Sequence, residues 1–284
     1  MTPVQQPSWL WLGDLLGSPA RAADGRRIGR VADLVVGLDG PRPLVRHVGI
    51  GTGRRLTGLV RFLGLSGPWG EVLTDGHPVP PVLRGDEVRL ARDVLDTQVV
   101  DLDGHRLCRV SEVLLVERPD ATVEVAAVDV GFRAVLHRLG LVRLGGDPEP
   151  VLLDWEDLHL TSSRGHLVQL STSTAGMRRL DARGVAELVA RLSAEQAVDV
   201  LQALDPATTA GALAASHASH RERLLRRLPG AALAAVTAAA APEVREHLRD
   251  SASAAPGPRR HLRTAGWRLH RPPPAPPAGR ERGR

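Results

Sequence analysis

The chain has 284 residues, 43% of them hydrophobic, with five Trp, two Phe and no Tyr. That length points to two or three domains, with cores built from Leu, Val and Ala. The formal net charge of +5 is unevenly spread: residues 251–284 hold eight Arg and one Glu, which leaves the other 250 residues at net −2. The basicity therefore belongs to a tail and not to a domain face. The single cysteine, Cys108, excludes an internal disulfide framework and a multi-cysteine metal site. No basic patch followed by an apolar run opens the chain, and no stretch reaches the ~18 to 20 apolar residues of a bilayer span. A soluble, cytoplasmic protein without a transmembrane segment is expected.

Residues 1–14, with Pro3, Pro7, Trp9 and Trp11, read as an N-terminal arm. Two stretches then repeat at an offset of 79 residues. Asp24-Gly25 falls on Asp103-Gly104, Arg27 on Arg106, Arg30 on Arg109, Val31 on Val110 and Asp33 on Glu112. Each Asp-Gly pair is a two-residue turn signal between extended runs. In the first copy, residues 27–36 and 44–50 read as strands, with a bulge where the alternation slips at Gly29. Leu56, Leu59, Val60 and Leu63 have the spacing of one helical face, so a short helix is expected there, followed by a closing strand near Trp69 and Val72. In the second copy, strands are expected over 99–102, 107–116 and 123–130. The helical spacing recurs at Phe132, Val135, Leu136 and Leu139, and Trp155 and Leu158 close the module. The polar residues 161–173 read as an extended segment passing into a flexible linker.

From residue 180 the columns Leu188, Val200, Ala212, Leu224, Val236 and Val189, Leu201, Leu213, Leu225, Thr237 recur every 12 residues. So does the column Leu192, Leu204, Ser216, Leu228, Ala240. Twelve residues at about 100° each overshoot three turns by about 120°, so one straight helix could not bury all of them. The chain must bend at each repeat, and Pro206, Pro229 and Pro242 stand near those bends. Residues 250–284, rich in Pro and Arg, read as a disordered tail.

The doubled Asp-Gly-x-Arg-[Ile/Leu]-x-Arg-Val-x-[Asp/Glu] pattern resembles PRC-barrel domains, the small β-barrels also seen in a ribosome-maturation factor. The stretch from Leu180 to Pro206 resembles the intracellular N-terminal domain of MgtE-type magnesium transporters, a superhelix of short helices. The resemblance implies a multidomain β plus α architecture: PRC-barrel-like domains at 15–90 and 91–173, the latter including the linker, then an MgtE-N-like helical domain at 174–249. It implies a non-enzymatic accessory or regulatory protein of magnesium homeostasis, whose partner is a magnesium transporter or its CBS region. The alternative is an RNA- or ribosome-associated adaptor that uses the barrels and the Arg-rich tail, although a nucleic acid is the less expected partner. No cofactor is expected beyond weak Mg2+ binding at acids such as Asp181, Glu187, Glu195, Asp199 and Asp205.

No catalytic, cofactor-binding or metal site is assigned. Cys108 reads as a small buried residue at a bulge, with no basic cluster to activate it. His217 and His220 lack a third ligand at metal-site spacing. Gly49-Ile-Gly51-Thr-Gly53 has neither phosphate-loop spacing and reads as a turn. Gly64-Leu-Ser66-Gly-Pro68 carries Pro where a nucleophile elbow needs Gly.

Overall fold

The computed structural model describes residues 9–52, 55–66, 71–131, 149–173, 175–242, 244–246 and 248. Mixed β-sheets occupy the first part of the chain and helices the second. The described residues belong to one compact unit; the basic tail lies outside the described residues, as does the second expected helix at Phe132 to Leu139.

In the first module, Asp24 and Gly25 turn β2 (Pro19–Ala22) back onto β3 (Arg27–Gly37). Gly25 sits at φ +83, and Asp24 Oδ1 accepts the Arg26 N–H at 2.9 Å. The register shifts between Ala20 and Arg21, opposite Gly29, where the slipped alternation predicts a bulge. Strands β4 (Leu44–Thr52), β5 (Arg55–Ser66) and β6 (Glu71–Thr74) follow. Hydrogen bonding passes from β3 to β4, β5, β6 and β2, and from β2 back to β3.

β5 corrects the sequence reading, because the residues expected to form a helix are extended. Their 3.6-like spacing arises because Leu59 and Val60 are both buried, one on each face, beside a register shift between Ile50 and Gly51 of the partner strand. A short apolar run bounded by turns has no periodicity that separates the two states. β5 is paired on both sides, to β4 and β6, and Gly58 lies against the backbone of Val79, where an added Cβ would come within 3.2 Å of its carbonyl oxygen.

The second module has β8 (Gln98–Asp101), β9 (Arg106–Arg109), β10 (Glu112–Glu117), β11 (Val123–Asp129), β12 (Leu152–Asp154) and β13 (Leu158–Leu160). Trp155 is buried in a 3-10 turn between the last two strands. The two modules are not separate sheets. One ten-stranded sheet runs through both, and β13, β8 and β9 form a second sheet of three strands.

Each module lends the other its first strand. β1 (Trp9–Trp11) precedes the first module yet pairs with β10 of the second, Trp9 opposite Val116 and Trp11 opposite Leu114. β7 (Glu87–Arg89) precedes the second module yet pairs with β3 of the first, Arg89 opposite Val35 and Glu87 opposite Gly37. A helical turn follows each lent strand: α1 (Leu12–Leu15) in one case and a π-type turn (Leu90–Val94) in the other. The acid of the other module's repeated motif holds each turn. Asp33 Oδ1 accepts the Ala91 N–H at 2.7 Å, and Glu112 Oε1 accepts the Gly13 N–H at 3.0 Å. The hydrogen bonds that lead back into each module also match. Gly17 N–H donates to Val31 O at 2.7 Å, and Asp96 N–H donates to Val110 O at 3.0 Å. A single apolar core of Val and Leu side chains runs through both modules, from Leu12 to Val168.

Residues 163–171, expected to be part of a linker, form helix α2 (Ser163–Ser171), with His166, Val168 and Gln169 buried. The chain then builds α3 (Ala182–Arg191), α4 (Ala194–Ala203), α5 (Pro206–Ala215), α6 (Ala218–Leu225) and α7 (Gly230–Ala239). Their first residues lie twelve apart. Asp181, Ser193 and Asp205 cap the first three, accepting N–H groups of Gly184, of Gln196, and of Ala207 and Thr208. Pro206 opens α5, and Pro229 immediately precedes α7. α3 packs on α5 and α5 on α7, while α2 packs on α4 and α4 on α6. Every residue of the Leu188, Val200, Ala212, Leu224 and Val236 column is buried. Val100 of the three-stranded sheet and Leu102 of the turn after β8 join this second core.

Asp33 makes the exchange sensitive to pH. Burial pushes its carboxyl up from 3.8 to about 6, against the opposing pull of the Ala91 N–H and the Arg89 charge. The folded chain therefore holds this proton more tightly than the unfolded chain does. The stabilisation is fully present below about pH 4 and is lost as pH rises through about 6, on the order of 3 kcal/mol in all. Asp33→Asn keeps an acceptor for Ala91 and removes the titration. Urea denaturation should show this variant gaining on the parent chain between about pH 4 and about pH 7.5; parallel stability profiles would contradict the assignment.

Candidate functional site

A concavity of about 510 Å3 opens between the two sheet modules. Its walls come from β4 and β5, the segment that carries Arg84, and the turn from Asp120 to Thr122 of the second module. Local sequence explains the shape. His47 and Arg61 are cross-strand partners on β4 and β5, so their side chains leave the sheet on the same face. Ala121 has φ 64 in a turn whose Asp120 accepts both the N–H and the hydroxyl of Thr122, at 3.1 and 2.6 Å. Those two bonds hold Asp120 below the usual carboxylate range.

Arginines on β4 and on the loop before it tie the modules together beside the cleft. Arg42 meets Glu124 Oε1 at 3.5 Å, Asp154 Oδ2 at 2.9 Å and Glu156 Oε1 at 4.0 Å, all three acids belonging to the second module. Glu124 is buried, also pairs with Arg118, and sits opposite Leu44 in the pairing of β11 with β4. Arg46 contacts Asp39 Oδ2 and Asp86 Oδ2, both at 2.7 Å, and Glu87 Oε1 at 3.6 Å. Its hydrogen bond holds Asp86 below the usual carboxylate range. Gly37 leaves the space that Arg46 fills, because a Cβ there would stand 2.2 Å from the guanidinium carbon. His47 Nδ1 faces the buried Glu87 Oε1 at 3.6 Å, and neither atom makes a hydrogen bond among the described residues. Arg164 of α2 donates to the carbonyls of Arg84 and Glu87, which anchors the Arg84 segment to the helix.

A second constellation lies where the sheets meet the helices. His159 on β13 and His166 on α2 are each 1% exposed, with His159 Nε2 and His166 Nδ1 2.9 Å apart. His166 Nε2 points at Asp199 Oδ2 of α4, 3.6 Å away. Burial pushes His159 down to about 3, and the neighbouring His166 adds to the shift. Burial also lowers His166, against the pull of Asp199. Gln169 fixes the helix beside this pair by accepting the Leu160 N–H at 2.6 Å and donating to Leu158 O at 3.3 Å.

The residues weighed from sequence do not converge on a reaction centre. Cys108 lies half-buried in regular register opposite Val99, without the bulge of the first module, and burial raises its thiol. His217 Nδ1 contacts Ser219 Oγ at 3.0 Å, while His220 Nδ1 contacts Arg223 at 2.5 Å, so the two imidazoles have different partners. Asp181 and Asp205 are spent as helix caps. Glu187 pairs with His105 at 3.0 Å and Arg183 at 3.1 Å, and Asp199 faces His166. Among the described residues no three His, Cys, Asp or Glu gather as metal ligands. Gly49 to Thr52 belong to β4, whose Thr52 pairs with Arg55. Gly64 to Ser66 end β5, and Gly67 and Pro68 lie outside the described residues. The Arg42 network is invisible in the sequence because its acids lie 82 and 112 positions away, and the histidine pair because a spacing of seven across β13 and α2 matches no local motif.

The imidazoles set an acid limit on the fold. With folded values below 6.5, their stabilisation is present above about pH 6.5 and is lost as pH falls. His159→Gln keeps a donor toward His166 and cannot take up the proton. Denaturation should show this variant weaker than the parent at about pH 7.5 and closing the gap by about pH 5; a constant gap would show that the pair does not titrate with folding. Comparison of the chain with protein-family models, with curated proteins and with solved structures finds no match.

Proposed function

We propose that the chain is a non-enzymatic cytoplasmic interaction protein of magnesium homeostasis, in which two PRC-barrel-like modules carry an MgtE-N-like helical superhelix toward a protein partner. The partner proposed is a magnesium transporter or its CBS region. The observation that carries this reading is the helical half. Short helices begin twelve residues apart, and alternate members pack on one another, so the chain turns a corner at each cap. The ring of pairings through β3, β4, β5, β6 and β2 supports the barrel reading of the first module. No described helix is long and apolar enough to cross a membrane, so membrane association in this reading runs through the partner.

Magnesium acts mainly on the partner in this proposal, since the acids on α3 to α5 are dispersed and engaged in caps and ion pairs. The test is a titration of the full chain with the purified CBS region of an MgtE-type transporter, with and without millimolar Mg2+, alongside hydrogen exchange of both proteins. The expected result is saturable binding that differs between the two conditions, with protection over residues 180–242. Absence of binding in both conditions overturns the proposal. Salt-sensitive RNA binding that is lost on removing residues 251–284 would replace it with the adaptor reading.

A further inference from the structure

We propose that the cleft between the sheet modules is a binding site for a small organic dianion, a phosphate monoester or a dicarboxylate, independently of which protein partner the helices engage. The volume of about 510 Å3 falls within the range of metabolite pockets, about 300 to 1,000 Å3. Charge sets the ligand class. Three arginines line the cleft, Arg46, Arg61 and Arg84, against two acids, Asp39 and Asp120. Both acids are already engaged: Asp39 pairs with Arg46 at 2.7 Å, and Asp120 accepts two bonds from Thr122. Arg46 is likewise committed to Asp39 and Asp86. Arg61 and Arg84 have no ion pair among the described residues. The cleft therefore presents two guanidiniums outside any ion pair, although the Arg84 charge also helps to hold the Asp86 carboxyl below its usual range.

Arg61 rises from a strand paired on both sides. Arg84 sits on a segment fastened by Arg164 and by its own N–H, which donates to Glu87 Oε2 at 2.9 Å. The two cations are thus carried on fixed backbone, which lowers the ordering cost of gripping an oxyanion. His47, the cross-strand neighbour of Arg61, adds a third nitrogen-bearing side chain to the same face. Phe62 and the 45%-exposed Leu63 supply an apolar wall for the rest of the ligand.

The test is calorimetric titration of the full chain with three probes: ribose 5-phosphate, succinate and inorganic phosphate. Arg61→Glu and Arg84→Glu are the variants, and Arg183→Glu, an exposed charge on α3, is the control. Circular dichroism checks that each is folded. The expected result is saturable binding of at least one organic dianion, weakened about tenfold or more in either cleft variant and unchanged in the control. Preference between ribose 5-phosphate and succinate names the head group. Absence of saturable binding for all three probes overturns the proposal. So does binding that survives both cleft variants, because it would then belong to the arginines of residues 251–284.

Discussion

The fold depends on a mutual loan of backbone. A three-residue strand is too short to hold itself, and both β1 and β7 pair as strands with the opposite module. Asp33 and Glu112 complete the arrangement by holding the helical turn that follows the borrowed strand. Each acid also accepts the N–H of its own neighbour, Leu34 or Val113, so the cross-module bond is added to a local one. The shared apolar core from Leu12 to Val168 is the packing counterpart of that dependence. Arg42, reaching three acids of the second module, is the electrostatic counterpart.

α2 extends the same logic to the helical half. Its Gln169 behaves as a short extra strand toward β13, bonding the backbone of Leu158 and Leu160, while Thr172 donates to Leu38 O at 2.6 Å in the first module. Arg178 just beyond it donates to the carbonyls of Leu170, Thr172 and Ala203. Gln196, on the first turn of α4, returns to Thr161 O at 2.7 Å. The buried imidazoles sit inside this joint. Burial opposes the charged form of His159, His166 and Asp33 alike, and because imidazole charges by gaining a proton and carboxyl by losing one, the two sites respond to pH with opposite sign.

Much of the architecture was legible in the residues. The Asp-Gly turns, the strand after the first, the bulge opposite Gly29 and the buried columns of the helical half all follow from turn chemistry and spacing, whereas residues 107–116, expected as one strand, divide into β9 and β10 of different sheets. Three features were not. β5 has helix-like spacing because Leu59 and Val60 are buried on opposite faces beside a register shift, which breaks the alternation that marks a half-exposed strand. α2 is polar along its sequence because it spends Gln169, Thr172 and Arg164 on distant carbonyls, so composition alone resembles a loop. The matched Asp33 and Glu112 were visible as a motif, but the bonds they make cross between copies, and a pattern local to each copy does not show that. The candidate cleft was illegible for the same reason, since Arg61, Arg84 and Asp120 come from segments distant in the chain.

The exchange of first strands also governs the order in which the molecule can assemble as it is made. Gly13 finds Glu112 only at a separation of 99 positions. At a synthesis rate of about 5 to 20 residues per second, the arm leaves the ribosome many seconds before its acceptor strand exists. During that interval Trp9 and Trp11 have no sheet to join, whereas β7 reaches β3 before β10 is made. Completion of β10 is therefore the event that seats the arm, and a nascent chain stalled short of it presents an unpaired strand to chaperones.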